Sequence, residues 1–193
     1  MEKLRFIDLF CGIGGFRVAM DEACKENNII PECVFSSDID TYCQDSYEAN
    51  FGHRPSGDIT KIDEKDIPDH DIFFAGFPCQ PFSIIGQRQG FNDIRGTLFF
   101  DIARIIKHKQ PKAFILENVK QLVGHDKGRT LKVIIQTLKD LGYDVHYTVL
   151  NALDYGLPQK RERVIIVGHK QPIFFSFPSP IRPFKPLSDI LEK

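Results

Sequence analysis

The sequence has no excess of positive charge, no paired-cysteine spacing and no apolar run long enough to span a membrane. Each absence removes a class of function. Lys and Arg number 25 against 26 Asp and Glu, for a formal charge of -1 over 193 residues. A protein that holds nucleic acid by itself usually shows a clear basic excess. Any nucleic-acid contact must therefore rest on local groups or on polypeptide outside these residues.

The five cysteines, Cys11, Cys24, Cys33, Cys43 and Cys79, are odd in number and show no C-x-x-C spacing. A disulfide framework and a structural zinc site are both disfavoured, and no metal is expected. The apolar run at the N-terminus is too short for a signal peptide. A reducing cytoplasm is the expected compartment, with no membrane partner. No internal repeat or low-complexity tract is present.

What is present is an alternation of short apolar strands with amphipathic helices. The pattern predicts strands over Arg5–Phe10, Glu32–Ser37, Asp71–Ala75, Ala113–Leu116, Asp144–Leu150 and Arg163–Val167, with the last two as neighbours. Helices are predicted from the Gly12-Gly14-Gly15 turn to about Lys25, and over Thr41–Phe51, Leu98–Lys109 and Gly128–Leu141, the last closed by Gly142. Such alternation gives an α/β fold, a mainly parallel sheet with helices on both faces. Residues 1–170 read as one domain. Residues 171–193, rich in Pro and Phe, read as a linker.

In such sheets ligands bind where strands end, so the exit loops carry the functional reading. The first, Asp8-Leu-Phe-Cys-Gly-Ile-Gly-Gly15, lets backbone approach a ligand closely. The second ends in Asp38-Ile-Asp40, where a carboxylate can take both hydroxyls of a ribose. Together they point to a nucleoside cofactor; a tight turn beside a solvated acidic pair is the other reading. The G-x-G-x-x-G pattern is not met. In the third loop, Gly76-Phe-Pro-Cys-Gln-Pro-Phe-Ser83, a cysteine between prolines sits on stiff backbone where a thiol can be aimed. Gly86 to Gly96 beyond it is polar and glycine-flanked like a lid. The fourth carries Glu117-Asn118-Val119 after an apolar strand, a place where a partly buried carboxylic acid can hold or share a proton. It could equally cap the next turn. Gln159-Lys-Arg-Glu-Arg163 then enters the final strand.

Taken in order, DLFCGIGG, SDID, GFPCQPFS, LENV and QKRER resemble the cytosine-5 DNA methyltransferase family, from Phe6 to about Pro180. The resemblance implies a Rossmann-like S-adenosylmethionine-dependent methyltransferase fold. It implies methyl transfer to carbon 5 of cytosine in double-stranded DNA through a covalent Cys79 adduct, within a bacterial restriction–modification system and on the nucleoid. By motif, Cys79 is the nucleophile, Glu117 engages a flipped base, and Arg163 and Arg161 stand on the substrate side. Implied cofactor contacts are Phe10, Gly12, Ile13, Gly14, Asp38, Ile39, Asp58, Ile59, Gly76, Pro78 and Leu98. Implied DNA contacts are Gln80, Ser83, Ile85 and Arg95. Ile39 departs from relatives that place a tryptophan beside the adenine. The resemblance further implies a target-recognition region and two last motifs after Lys193, expected on a second polypeptide or a continuation of the chain. A tRNA cytosine-5 methyltransferase lobe and a non-catalytic interaction or cofactor-binding fragment are the alternatives.

Overall fold

A computed structural model describes residues 2–78, 98–171, 173–181 and 186. The described strands form one six-stranded sheet in the order β2-β1-β3-β4-β6-β5. They are β1 (Lys3–Leu9), β2 (Ile30–Ser37), β3 (Ile72–Gly76), β4 (Ala113–Val119), β5 (Asp144–Asn151) and β6 (Glu162–His169). The first four are mutually parallel; β6 is antiparallel to both β4 and β5. The sheet is thus mainly parallel as predicted, with one reversed strand inserted beside the edge. The expected pairing of the last two strands holds.

Among the described residues, four α-helices flank it: α1 (Gly15–Glu26), α2 (Thr41–Phe51), α3 (Leu98–Lys109) and α4 (Arg129–Asp140). Strand residues alternate between the two faces, and both are apolar, as a sheet covered twice requires. Ile7, Leu9, Phe73, Phe114, Leu116, Val164 and Ile166 pack with α3 and α4 in the larger core. Phe6 and Phe74 pack with Met20 and Cys24 of α1 on the other face. Helix α2 lies on that side too, its Tyr47 hydroxyl 3.6 Å from Cys33 Sγ.

The helix boundaries have local causes. Asp40 precedes α2 and its Oδ1 accepts the Tyr42 and Cys43 N–H groups, as an N-cap should. Gly142 follows α4 at φ +90°, the left-handed closure that glycine permits. Gly168 marks close packing: a methyl group there would overlap the buried ring of Phe114.

The predicted fourth strand was too short. Pairing of Glu117, Asn118 and Val119 with Ile165, Val164 and Arg163 keeps the chain extended through Val119. Glu117 therefore stands within a strand rather than on a loop. The described part of the tail has no helix or strand, yet it touches the domain: Tyr155 Oη donates to Pro178 O at 2.9 Å.

Candidate active site

The carboxyl ends of the parallel strands surround a cleft of about 420 Å³. Of the expected cofactor residues, Phe10, Asp38, Ile39, Asp58, Ile59, Gly76, Pro78 and Leu98 line it. Ser37 and Gly57 also line it and were not anticipated. Gly12, Ile13 and Gly14 form the adjoining turn instead. Phe10 and Gly12 both have φ +54°, so the chain leaves β1 through left-handed backbone. Gly14 has φ +95°, and a side chain there would meet the Phe51 ring, so only glycine fits.

The acidic pair after β2 divides its labour. Asp38 accepts the Gly12 N–H at 2.8 Å through Oδ2 and the Asp40 N–H at 2.9 Å through Oδ1, fastening the first exit loop to the second. Asp40 caps α2. A carboxylate has about four lone-pair sites, so Asp38 retains capacity for hydroxyl donors. Behind it, the Asp38 N–H donates to Ser56 O at 2.9 Å and Ser56 returns a bond to Ser36 O, bringing Gly57 and Asp58 to the cleft.

Asp58 accepts the Thr60 hydroxyl at 2.7 Å, and that bond, with the Thr60 N–H, holds its carboxyl below the ordinary value. The wall is secured by Arg104 of α3. Its guanidinium reaches Glu64 at 2.7 Å, Asp101 at 2.9 Å and the carbonyls of Ile59 and Ile62. Sequence reading missed this clamp, since nothing in the helical pattern distinguishes Arg104 from a solvated cation.

On the sheet, Glu117 lies across from Gly76. Arg163 Nε stands 2.7 Å from its Oε1 and Arg161 is 3.9 Å from the same oxygen. A methyl on Gly76 would lie 3.7 Å from Oε2, so that oxygen faces the glycine's open side. Glu117 is partly buried as expected, its side chain 22% exposed, and it is paired with an arginine. Next to it, buried Asn118 donates to Phe77 O at 2.8 Å, pinning the backbone that leads through Pro78. Asn118 is a positioning residue that the sequence reading quoted without a role.

Cys79, Gln80, Ser83, Ile85, Arg95 and the Gly86–Gly96 segment lie outside the described residues. The other four cysteines are free thiols, and burial pushes each one's pKa up. At Cys11 the charges of Asp8 and Asp38 add to burial. These are poor nucleophiles. A second, polar groove of about 260 Å³ is lined by Lys120, Gln121, Gln159, Lys160, Arg161, Glu162 and Arg163, beside Glu117.

The family described as C-5 cytosine-specific DNA methylase matches residues 4–190. The type II methyltransferase M.NgoBI of Neisseria gonorrhoeae is 59% identical, with 96% of this chain and 57% of that protein aligned. M.HaeII of Haemophilus aegyptius is 56% identical, with 100% of this chain and 58% of that protein aligned. The chain thus spans little more than half the length of these relatives. Among solved structures, the Entamoeba histolytica methyltransferase EhMeth superposes with a TM-score of 0.74 at 21% identity, covering 100% of this chain and 61% of that one. The S. pombe Dnmt2 methyltransferase gives 0.69 at 22% identity, covering 90% of this chain and 52% of that one. These two show the fold, a Rossmann-like methyltransferase sheet.

Proposed function

The chain belongs to the C-5 cytosine-specific DNA methylase family, and on that premise we propose that it is the catalytic and cofactor-binding lobe of an enzyme methylating carbon 5 of cytosine in double-stranded DNA. The methyl donor is S-adenosylmethionine, and the enzyme serves a restriction–modification system. The observation that carries this reading is the meeting of Glu117 and Arg163 at 2.7 Å, one strand from the Gly76-Phe77-Pro78 backbone that runs into Cys79.

The cleft suits the cofactor by its donor set. Apolar Phe10, Ile39, Ile59 and Leu98 offer faces for an adenine, and Asp38 is fixed by two backbone donors with lone pairs left for ribose hydroxyls. When bound, S-adenosylmethionine supplies an electrophilic methyl group on a positively charged sulfur. Ile39 is 74% exposed at the rim, where it covers a base without the area of an aromatic ring.

Carbon 5 of cytosine is a poor nucleophile, and the chain's own residues correct that. The Cys79 thiolate forms a bond to carbon 6, and the displaced π pair moves into the ring toward nitrogen 3 and the carbonyl. A proton carried by Glu117 to nitrogen 3 neutralises that charge, while Arg163 faces the carbonyl and holds one carboxylate oxygen in place. Carbon 5, now enamine-like, would take the methyl group as the methyl–sulfur bond breaks and the sulfur leaves as a neutral thioether. Loss of its proton to a base and breakage of the sulfur–carbon 6 bond restore the aromatic ring and the thiolate. The target must leave the duplex stack for this to happen. The groove of Lys120, Lys160 and Arg161 suits phosphates flanking such a base.

The charge of -1 gives this lobe little general attraction for DNA. Target choice therefore lies in polypeptide outside these residues, in keeping with the greater length of the relatives. The test is trapping on duplex DNA containing 5-fluorocytosine, whose fluorine cannot leave as a proton does, with the complementing polypeptide supplied in trans. Wild-type protein forms a covalent adduct and Cys79→Ser does not; an adduct with Cys79→Ser would sink the assignment. Tritiated methyl transfer is measured on DNA and on tRNA in parallel. Preference for tRNA, or efficient sequence-specific methylation of DNA by the 193 residues alone, would overturn the rest.

A further inference from the structure

We propose that Asp144, His146 and His169 form a binding site for a divalent late transition-metal ion, zinc foremost, at the end of the sheet opposite the cofactor cleft. The β5–β6 register creates the cluster. Asp144 sits directly across from His169, and His146, two residues on, shares their face. One donor atom from each residue lies within 4.8 Å of the others. His146 Nε2 and Asp144 Oδ2 are 3.3 Å apart. That matches the edge of a tetrahedron whose metal–ligand bonds are about 2.0–2.1 Å, and small side-chain rotations bring in the third donor.

Three further observations separate this arrangement from an ordinary polar patch. His169 is 4% exposed, and its Nδ1 lies 2.7 Å from Gln171 O. A carbonyl only accepts, so Nδ1 carries the proton and Nε2 of the neutral ring presents a lone pair. A backbone carbonyl orienting a histidine in this way is the usual outer support of a metal-ligating imidazole. Among the described residues, that Nε2 and the buried Nε2 of His146 have no hydrogen-bond partner. A simple Asp144–His146 pair leaves the His169 nitrogen unexplained, whereas one cation engages all three groups. Phe175 of the tail packs against both rings, with centroids 5.2 and 6.2 Å away, and covers one side of the site.

The two imidazoles are borderline donors that favour zinc, cobalt or nickel over magnesium or calcium, and the carboxylate is a harder oxygen donor that zinc also takes. A fourth position is open to water. The cluster lies beside Ala113, at the start of β4, while Glu117 is near that strand's other end. The ion would staple the edge hairpin and the tail, apart from methyl transfer.

The test is titration of the chelator-stripped chain with zinc chloride by calorimetry, and with cobalt chloride by visible absorption. One ion should bind per chain, and the cobalt spectrum should lack the near-ultraviolet thiolate band that a cysteine site gives. His169→Gln, His146→Gln and Asp144→Asn should each weaken zinc at least tenfold. Circular dichroism checks the fold. Asp144 is exposed, so its variant decides the matter if a histidine variant fails to fold. Absence of stoichiometric binding, a thiolate band, or unchanged affinity in Asp144→Asn would overturn the proposal.

Discussion

Replacing Asp8 by Asn should change how stability depends on pH, because Asp8 is held where a carboxylate is expensive. It lies in β1 with no exposure, and among the described residues neither carboxyl oxygen has a hydrogen-bond partner. Burial, opposed by the charge of Arg17 and aided by that of Asp38, raises its pKa from 3.8 to about 7. Between those values the folded protein keeps a proton that the unfolded chain has released. Stability therefore falls as pH rises through the window, by about 1.4 kcal/mol per pH unit. The full cost reaches about 4 kcal/mol near pH 7. Asparagine has the same shape and cannot ionise. Urea unfolding of both proteins from pH 5 to pH 8 gives the difference in stability, in which contributions common to the two cancel, including those of His53 and His70, whose pKa values burial lowers. Relative to wild type, Asp8→Asn should gain stability steadily up to about pH 7 and then level off. Parallel curves across the range would show that Asp8 is solvated or partnered in solution, and the reasoning would fail.

Gly168→Ala should overpack the core against Phe114 and lower stability by about 1–3 kcal/mol, read as a drop in Tm that Phe114→Leu in the same chain partly restores. An unchanged Tm in the single variant would mean that the ring has room. Asp38→Ala should weaken S-adenosylmethionine by about 1–3 kcal/mol in calorimetry of the completed enzyme, since it leaves the Gly12 N–H unpaired and removes the acceptor proposed for the ribose. Unchanged affinity would place the ribose contact elsewhere.

Much of the architecture was legible because each element declares itself locally. The period-3.6 pattern of Leu98, Ile102, Ile105 and Ile106 marks α3 at both ends, and the three isoleucines pack in the core with strand residues of period two. The direction of β6 and the length of β4 were not legible. Both depend on a long-range pairing, Val119 with Arg163, that no window along the chain contains. The same pairing moved Glu117 off a loop and set it beside Arg163.

That contrast also explains which site residues could be found. Phe10, Asp38 and Gly76 belong to contiguous motifs that the sequence exposes by itself, whereas Asp58 and Leu98 come only through the family resemblance. Arg104 and the trio of Asp144, His146 and His169 gain meaning only through register and helix docking. A one-residue slip of β5 against β6 would turn His146 to the other face and dissolve the trio, although every residue would remain in place in the sequence. The cleft, by contrast, is built from the ends of strands, where a loop's own glycines and carboxylates decide the geometry. Chemistry carried by exit loops is thus readable from one chain, while chemistry made by facing strands must be sought in the fold.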